Sequence, residues 1–235
     1  RDVTCDWPYD APINGVRARK GDCVKLLGNA PETEVTRVRI VGSGLSGARA
    51  AITIQRGIHD LVVAGNTLHC DECDQVIDGE ATGGGWDHDI AITGNTITAG
   101  PSAQGDFDVA LVSTVGATIT GNTLSRGVAL YRTSGVTMMG NTVAHAARSN
   151  AATLSVSNAC GGLVIAGNSM RRTGAAGPVV KIESASGVPC GEVLISSNVI
   201  RQATPHVSIM LSSVSRASVV GNLITHSAAA PGYAS

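Results

Sequence analysis

A run of acids around a glycine-rich stretch, "CDECDQVIDGEATGGGWDHDIAI", is the part of this chain richest in reactive groups. It places Asp71, Glu72, Asp74, Asp78, Glu80, Asp87, His88 and Asp89 within twenty residues. A second segment, "GDFDVAL", adds Asp106 and Asp108. Carboxylates brought close together repel, so they need a cation or a shared proton. Asp74, Asp78 and Asp108 form the candidate metal set, and oxygen-only ligands suit a hard cation such as calcium. No EF-hand or glycine-rich nonapeptide calcium motif accompanies them. The same three acids are candidates for paired-carboxylate hydrolysis. His88 could act as a general base.

Aromatic and cationic residues follow the acids. The chain has only two Trp, three Tyr and one Phe, so Trp86, Phe107 and Tyr131 near the acids suggest a platform for stacking sugars, with Glu183 as a further contact. Tyr131, Arg132 and Lys181 supply the base, acid and carboxylate-neutralising groups that a polyuronate lyase or epimerase needs. No Ser-His-Asp signature, phosphate-binding glycine loop or nucleic-acid motif occurs.

These residues hang on a repeated phrase: "LVVAGNTL", "IAITGNTI", "TITGNTL", "TMMGNTV", "LVIAGNSM", "LISSNVI" and "VVGNLI". Its asparagines are Asn66, Asn95, Asn122, Asn141, Asn168, Asn198 and Asn222, separated by 29, 27, 19, 27, 30 and 24 residues. Self-similarity on this scale marks a solenoid. Ser43, 23 residues before Asn66, marks an earlier degenerate coil. Between the asparagines, short stretches alternate apolar and polar residues, the period of a strand, with no helical pattern. The sequence therefore predicts an all-β chain of about eight stacked coils, with parallel strands about 4.8 Å apart. Each Asn should sit in a tight left-handed turn and bond to its neighbours above and below. No Asn of the repeat is a glycosylation sequon.

The "ITGNTI" phrase resembles the right-handed parallel β-helix, or pectate-lyase-like, superfamily, over roughly residues 21–225. Residues 1–20 are expected to cap the helix and 21–235 to form it. The resemblance implies a groove along the sheet preceding the Asn turn, and calcium is a cofactor of many such enzymes. Here that sheet would read "AITIQ", "DQVID", "DVALV", "VALYR", "ATLSV", "VVKIE" and "VSIML", with Gln55, Asp78, Val112, Tyr131, Ser155, Glu183 and Met210 in one outward column. Asp74 and Asp108 would be outward neighbours. The polygalacturonase-like Gly-His-Gly and Arg-Ile-Lys motifs are missing, since the corresponding strands read "RGVALYRTS" and "PVVKIES".

The implied function is a lyase or C5-epimerase acting on an acidic polysaccharide; the alternatives are a polygalacturonase-like hydrolase and a non-catalytic glycan-binding or structural solenoid. Charge is divided unevenly, with 16 of 18 acids in residues 1–110 and only two in residues 111–235, beside eight bases. In an elongated molecule this becomes an axial gradient, and the basic half would receive the anionic chain. Nucleic acid is not an expected partner. No apolar run is long enough for a membrane span. Six cysteines point to an oxidising location, secreted, periplasmic or extracellular. Cys70 and Cys73 form a CxxC without the partners of a zinc module. Cys160 and Cys190 each precede a repeat Asn by eight residues, which predicts that they bond across neighbouring coils. Cys5–Cys23 and Cys70–Cys73 are the pairs left by elimination.

Overall fold

A computed structural model describes residues 4–6, 21–28, 34–47, 49–80, 85–158, 161–184 and 188–227. Within them the chain winds as a parallel β-solenoid, its strands stacked in three sheets of eight, nine and nine strands. One coil runs through the first sheet at Ile52–Gln55, the second at Ile58–Ala64 and the third at Thr67–Cys70. The following coil repeats the path through Ile77–Glu80, Asp87–Thr93 and Thr96–Ala99. Strands pair in parallel with the equivalent strands of the neighbouring coils, on both sides except at the ends of each sheet.

Strand alternation puts one side chain in two inside, and register then stacks like on like. Val63, Ile92, Ile119, Met138, Ile165 and Ile195 form one buried column of the second sheet. Leu68, Ile97, Leu124, Val143, Met170 and Ile200 form its counterpart in the third. Each such side chain contributes about 1.5–3 kcal/mol by leaving water. Aliphatic residues fit this interior because every layer is only one strand thick, and few aromatics are needed.

The asparagines form the expected ladder. Each Asn Oδ1 accepts from the backbone N–H of the preceding rung at 2.8–3.0 Å, from Ser43 and Asn66 through to Asn198 and Asn222. From Asn66 onward each rung's Nδ2 also donates to the next Oδ1, at 2.9–3.0 Å. The left-handed residue is not the Asn, however. It is the residue before it, Gly94 and Gly121 for example, both at φ +62°, or Ser197 at +55°. Glycine takes that backbone without strain, which leaves Asn in ordinary geometry with its amide aimed along the stack.

Thr4–Asp6, from the expected cap, pairs with Gly44–Gly47; residues 7–20, including Trp7 and Tyr9, lie outside the described residues. Cys70 and Cys73 are disulfide-bonded, with Cα atoms 5.8 Å apart. Cys23 and Cys190 are also in disulfides. Their expected partners, Cys5 and Cys160, lie outside what is described of side chains.

Candidate functional site

The outer face of the first sheet carries a small polar assembly at its acid-rich end. Asp78 and Glu80 leave the same strand on the same side, two residues apart. Arg49, from the turn entering the previous coil, lies across them. Its Nη1 is 2.6 Å from Glu80 Oε1 and 3.7 Å from Asp78 Oδ2, while its Nε donates to Asp22 at 2.8 Å. Gln55, directly below Glu80 in the register, donates to the other Glu80 oxygen.

Asp78 and Glu80 hydrogen-bond to each other and titrate apart. Burial, and then the adjacent Glu80 carboxylate, push Asp78 up to about 7, against the pull of Arg49. Burial also works against the charge on Glu80, but hydrogen bonds from Arg49 and Gln55 outweigh it and hold that carboxyl below its usual range. The pair thus keeps one proton near neutral pH, on Asp78. A carboxylic acid protonated there can donate a proton in a reaction.

The outer face of the sheet continues beyond this pair as a strip of outward side chains, the candidate trough. The outward residues are Ala110 and Val112 on the next strand, then Ala129 and Tyr131, Ser155 and Ser157, and Lys181 and Glu183. They form two parallel columns, not one. Asp78, Ser155 and Met210 belong to the first, Tyr131 and Glu183 to the second. The predicted single column merged them because successive strands begin at different offsets. Small residues at Ala110 and Ala129 leave a shallow floor. Trp86 and Tyr131 stand exposed beside it, and the Arg132 guanidinium lies 5.4 Å from the Trp86 ring centroid, close enough for a cation–π contact. Farther along, a cavity of about 290 Å³ opens beside Ser155, Lys181, His206 and Met210.

Several predicted site residues stand elsewhere. Asp108 is fully buried, not outward, because a register shift between Phe107 and Val109 turns it inside. It accepts from the Ser125 and Arg126 backbone N–H groups at 2.6 and 2.8 Å and fastens that turn; burial nonetheless raises its pKa to about 6. Asp74 is exposed in the loop ahead of Ile77. No group of three His, Cys, Asp or Glu side chains among the described residues is placed to hold a metal, so Asp74, Asp78 and Asp108 do not converge. Phe107 is half-buried against Gly127.

His88 is on the second sheet, stacked on His59 with ring centroids 4.7 Å apart, on a different face from the trough. Lys181 is tied to Glu183 at 2.7 Å. Tyr131 is two rungs from the Lys181 strand, about 9–10 Å along the stack. Tyr131, Arg132, Lys181 and His88 therefore share no single centre. Arg49 is the residue sequence reasoning missed. Its partners Asp22 and Glu80 are 27 and 31 residues away, and only stacking of unequal coils brings the three together. Comparison of the chain with protein-family models and with curated proteins found no match.

Proposed function

We propose that the protein is a polysaccharide-active hydrolase that lays a uronate-containing glycan along the outer face of the first sheet. Asp78 donates its proton to the departing glycosidic oxygen as that bond breaks, water adds to the anomeric carbon in its place, and the proton shed by the water restores the Asp78 acid. The observation that carries this reading is the pair Asp78–Glu80, with one proton between them and Arg49 against both, at the end of a trough lined by Trp86 and Tyr131. Burial, and then the charge on Glu80, favour the proton on Asp78, while hydrogen bonds from Arg49 and Gln55 keep Glu80 ionised. Trp86 and Tyr131 offer ring faces to the sugars, and Arg132 offers a charge for a uronate carboxylate.

The superfamily suggested by the repeated phrase fits this reading. So does a right-handed coil, the sense that parallel crossovers nearly always take. Disulfides suit a secreted, periplasmic or extracellular site of action. One observation favours a second reading, non-catalytic glycan binding: Asp108 is enclosed, and Glu183, four strands from Asp78, is tied to Lys181, so among the described residues neither stands ready beside Asp78 to activate water. Lyase or epimerase chemistry through Tyr131, Arg132 and Lys181 is less favoured, because those groups are spread along the stack.

Incubation with polygalacturonate, alginate and neutral glycans, followed by reducing-end and 235 nm absorbance assays, separates the three readings. New reducing ends without unsaturated products, lost in Asp78→Asn, are the expected result. Unsaturated ends would instead identify a lyase. Binding without any cleavage, weakened in Trp86→Ala, would leave the non-catalytic reading.

A further inference from the structure

The third sheet carries a charged feature on a face the trough does not use. Arg171 and Arg201 are in register on the adjacent strands Ser169–Gly174 and Val199–Gln202, and Thr225 continues their column on Leu223–His226. Both arginines are exposed, and the register sets their backbones about 4.8 Å apart. Two like charges held so close repel unless something neutralises them.

The C-terminal half of the chain has little to do so. Residues 111–235 contain two acids, Glu183 and Glu192. Glu183 is paired with Lys181 on the first sheet and Glu192 with Arg216 on the second. Neither Arg171 nor Arg201 has a carboxylate partner among the described residues.

A cavity of about 260 Å³ opens beside them, with Arg171, Arg172, Arg201, Gln202, Thr225 and His226 in its walls. Its inner wall is fixed. Gln202 donates to the Gly177 carbonyl at 2.9 Å and accepts from Ser208 at 2.9 Å. Arg172 is fully buried, bonded to the carbonyls of Ser149 and Ala175 at 3.0 Å and to that of Ala151. No carboxylate hydrogen-bonds to it among the described residues, and its Nε has no hydrogen-bond partner there. A third positive charge, partly balanced by Asp106, therefore stands behind the exposed two.

We propose that this cavity is an oxyanion site that takes the phosphate or sulfate group of a ligand. The donor set decides the class. Two guanidinium forks and a Thr225 hydroxyl present more donors, from more directions, than the two oxygens of a planar carboxylate can use. A tetrahedral group with three or four oxygens matches them. The site is independent of the glycan trough and lies on another sheet, so a phosphorylated or sulfated polymer could be held there while the trough stays open.

Calorimetric titration of the full chain with sodium phosphate and, separately, sodium sulfate, at ionic strength balanced with chloride, tests the proposal. Saturable binding of at least one anion is expected, and the preferred anion identifies the ester. The double variant Arg171→Gln/Arg201→Gln should bind about tenfold or more weakly. Its melting temperature in chloride should be no lower than the parent's, since both side chains are on the surface and their mutual repulsion is removed. Arg201→Lys, which keeps the charge and loses the fork, should fall between them. Asp78→Asn should bind like the parent, which separates this site from the trough. No saturable binding by the parent, or equal binding by the double variant, would overturn the proposal.

Discussion

Two sets of polar groups, one inside the coil and one on its first sheet, follow opposite rules. Inside, partners are mostly backbone or identical side chains. The asparagine amides bond to each other and to carbonyls such as Val63 and Ile92. Arg126 and Arg172 bond to loop carbonyls, and Asp108 to two backbone N–H groups. Such groups satisfy polar atoms that burial would otherwise strand. On the first sheet, Asp78, Glu80 and Arg49 are held to one another and to the side chains of Asp22 and Gln55, and two carboxyls compete for one proton. Perturbation of one titratable group by another, next to an open surface, marks a place for chemistry. Inside, polar groups hold the fold; outside, they are available to a ligand.

The contrast can be broken from either side. The largest effect should come from the ladder. Asn122→Leu strands the Asn95 N–H, the Ile92 carbonyl and one Asn141 oxygen contact, and should cost about 4–5 kcal/mol by denaturant unfolding. Next, Asp78→Asn should lower turnover on the cleaved glycan about 100–1000-fold with no loss of stability. Above pH 7 it should raise the melting temperature, because the parent must then hold an ionised carboxylate beside Glu80. An equal fall in stability would move Asp78 to the structural side.

Arg172→Met should cost about 2–3 kcal/mol, by leaving three loop carbonyls without a donor, and should leave cleavage by the folded fraction intact. The smallest effect is a slope. Burial, then Arg172, pull His145 down to about 4, so the unfolded chain takes up its proton first as pH falls from 6.5. His145 therefore removes stability between pH 6.5 and 4. Asp108, raised to about 6, acts in the opposite sense: the folded state keeps its proton longer, and stability falls as pH rises from 4 to 6. Asp78, raised to about 7, acts in the same sense as Asp108, so His145 offsets only part of their effect in the parent. In His145→Asn, urea midpoints should fall more steeply than the parent's as pH rises across that window; an equal or shallower slope would contradict the assignment.

The sequence carried the stacking plainly, because a solenoid repeats its turn chemistry at every coil. Asn66 through Asn222 were legible as rungs. Their conformation was misjudged, because the neighbouring Gly takes the left-handed backbone and frees the Asn amide. The site was legible only in pieces. Asp78 and Tyr131 were correctly placed facing outward, but a single register shift turned Asp108 inside. Arg49 could not be linked to Glu80, nor Trp86 to Arg132, because coils of unequal length set those meetings. Periodicity reports what repeats, and the acid pair occurs once.

The ladder also has a direction. The amide and backbone N–H of each rung point toward the asparagine of the coil that comes later in the chain. A partly wound stack therefore ends in donors that only the next coil can satisfy, and each finished coil is a template for its successor. Assembly in the order of synthesis follows the grain of these bonds. Adding or removing one whole coil, from one Gly-Asn to the next, would leave every remaining rung with the same kind of neighbour. The length of such a molecule is a variable that can change in unit steps.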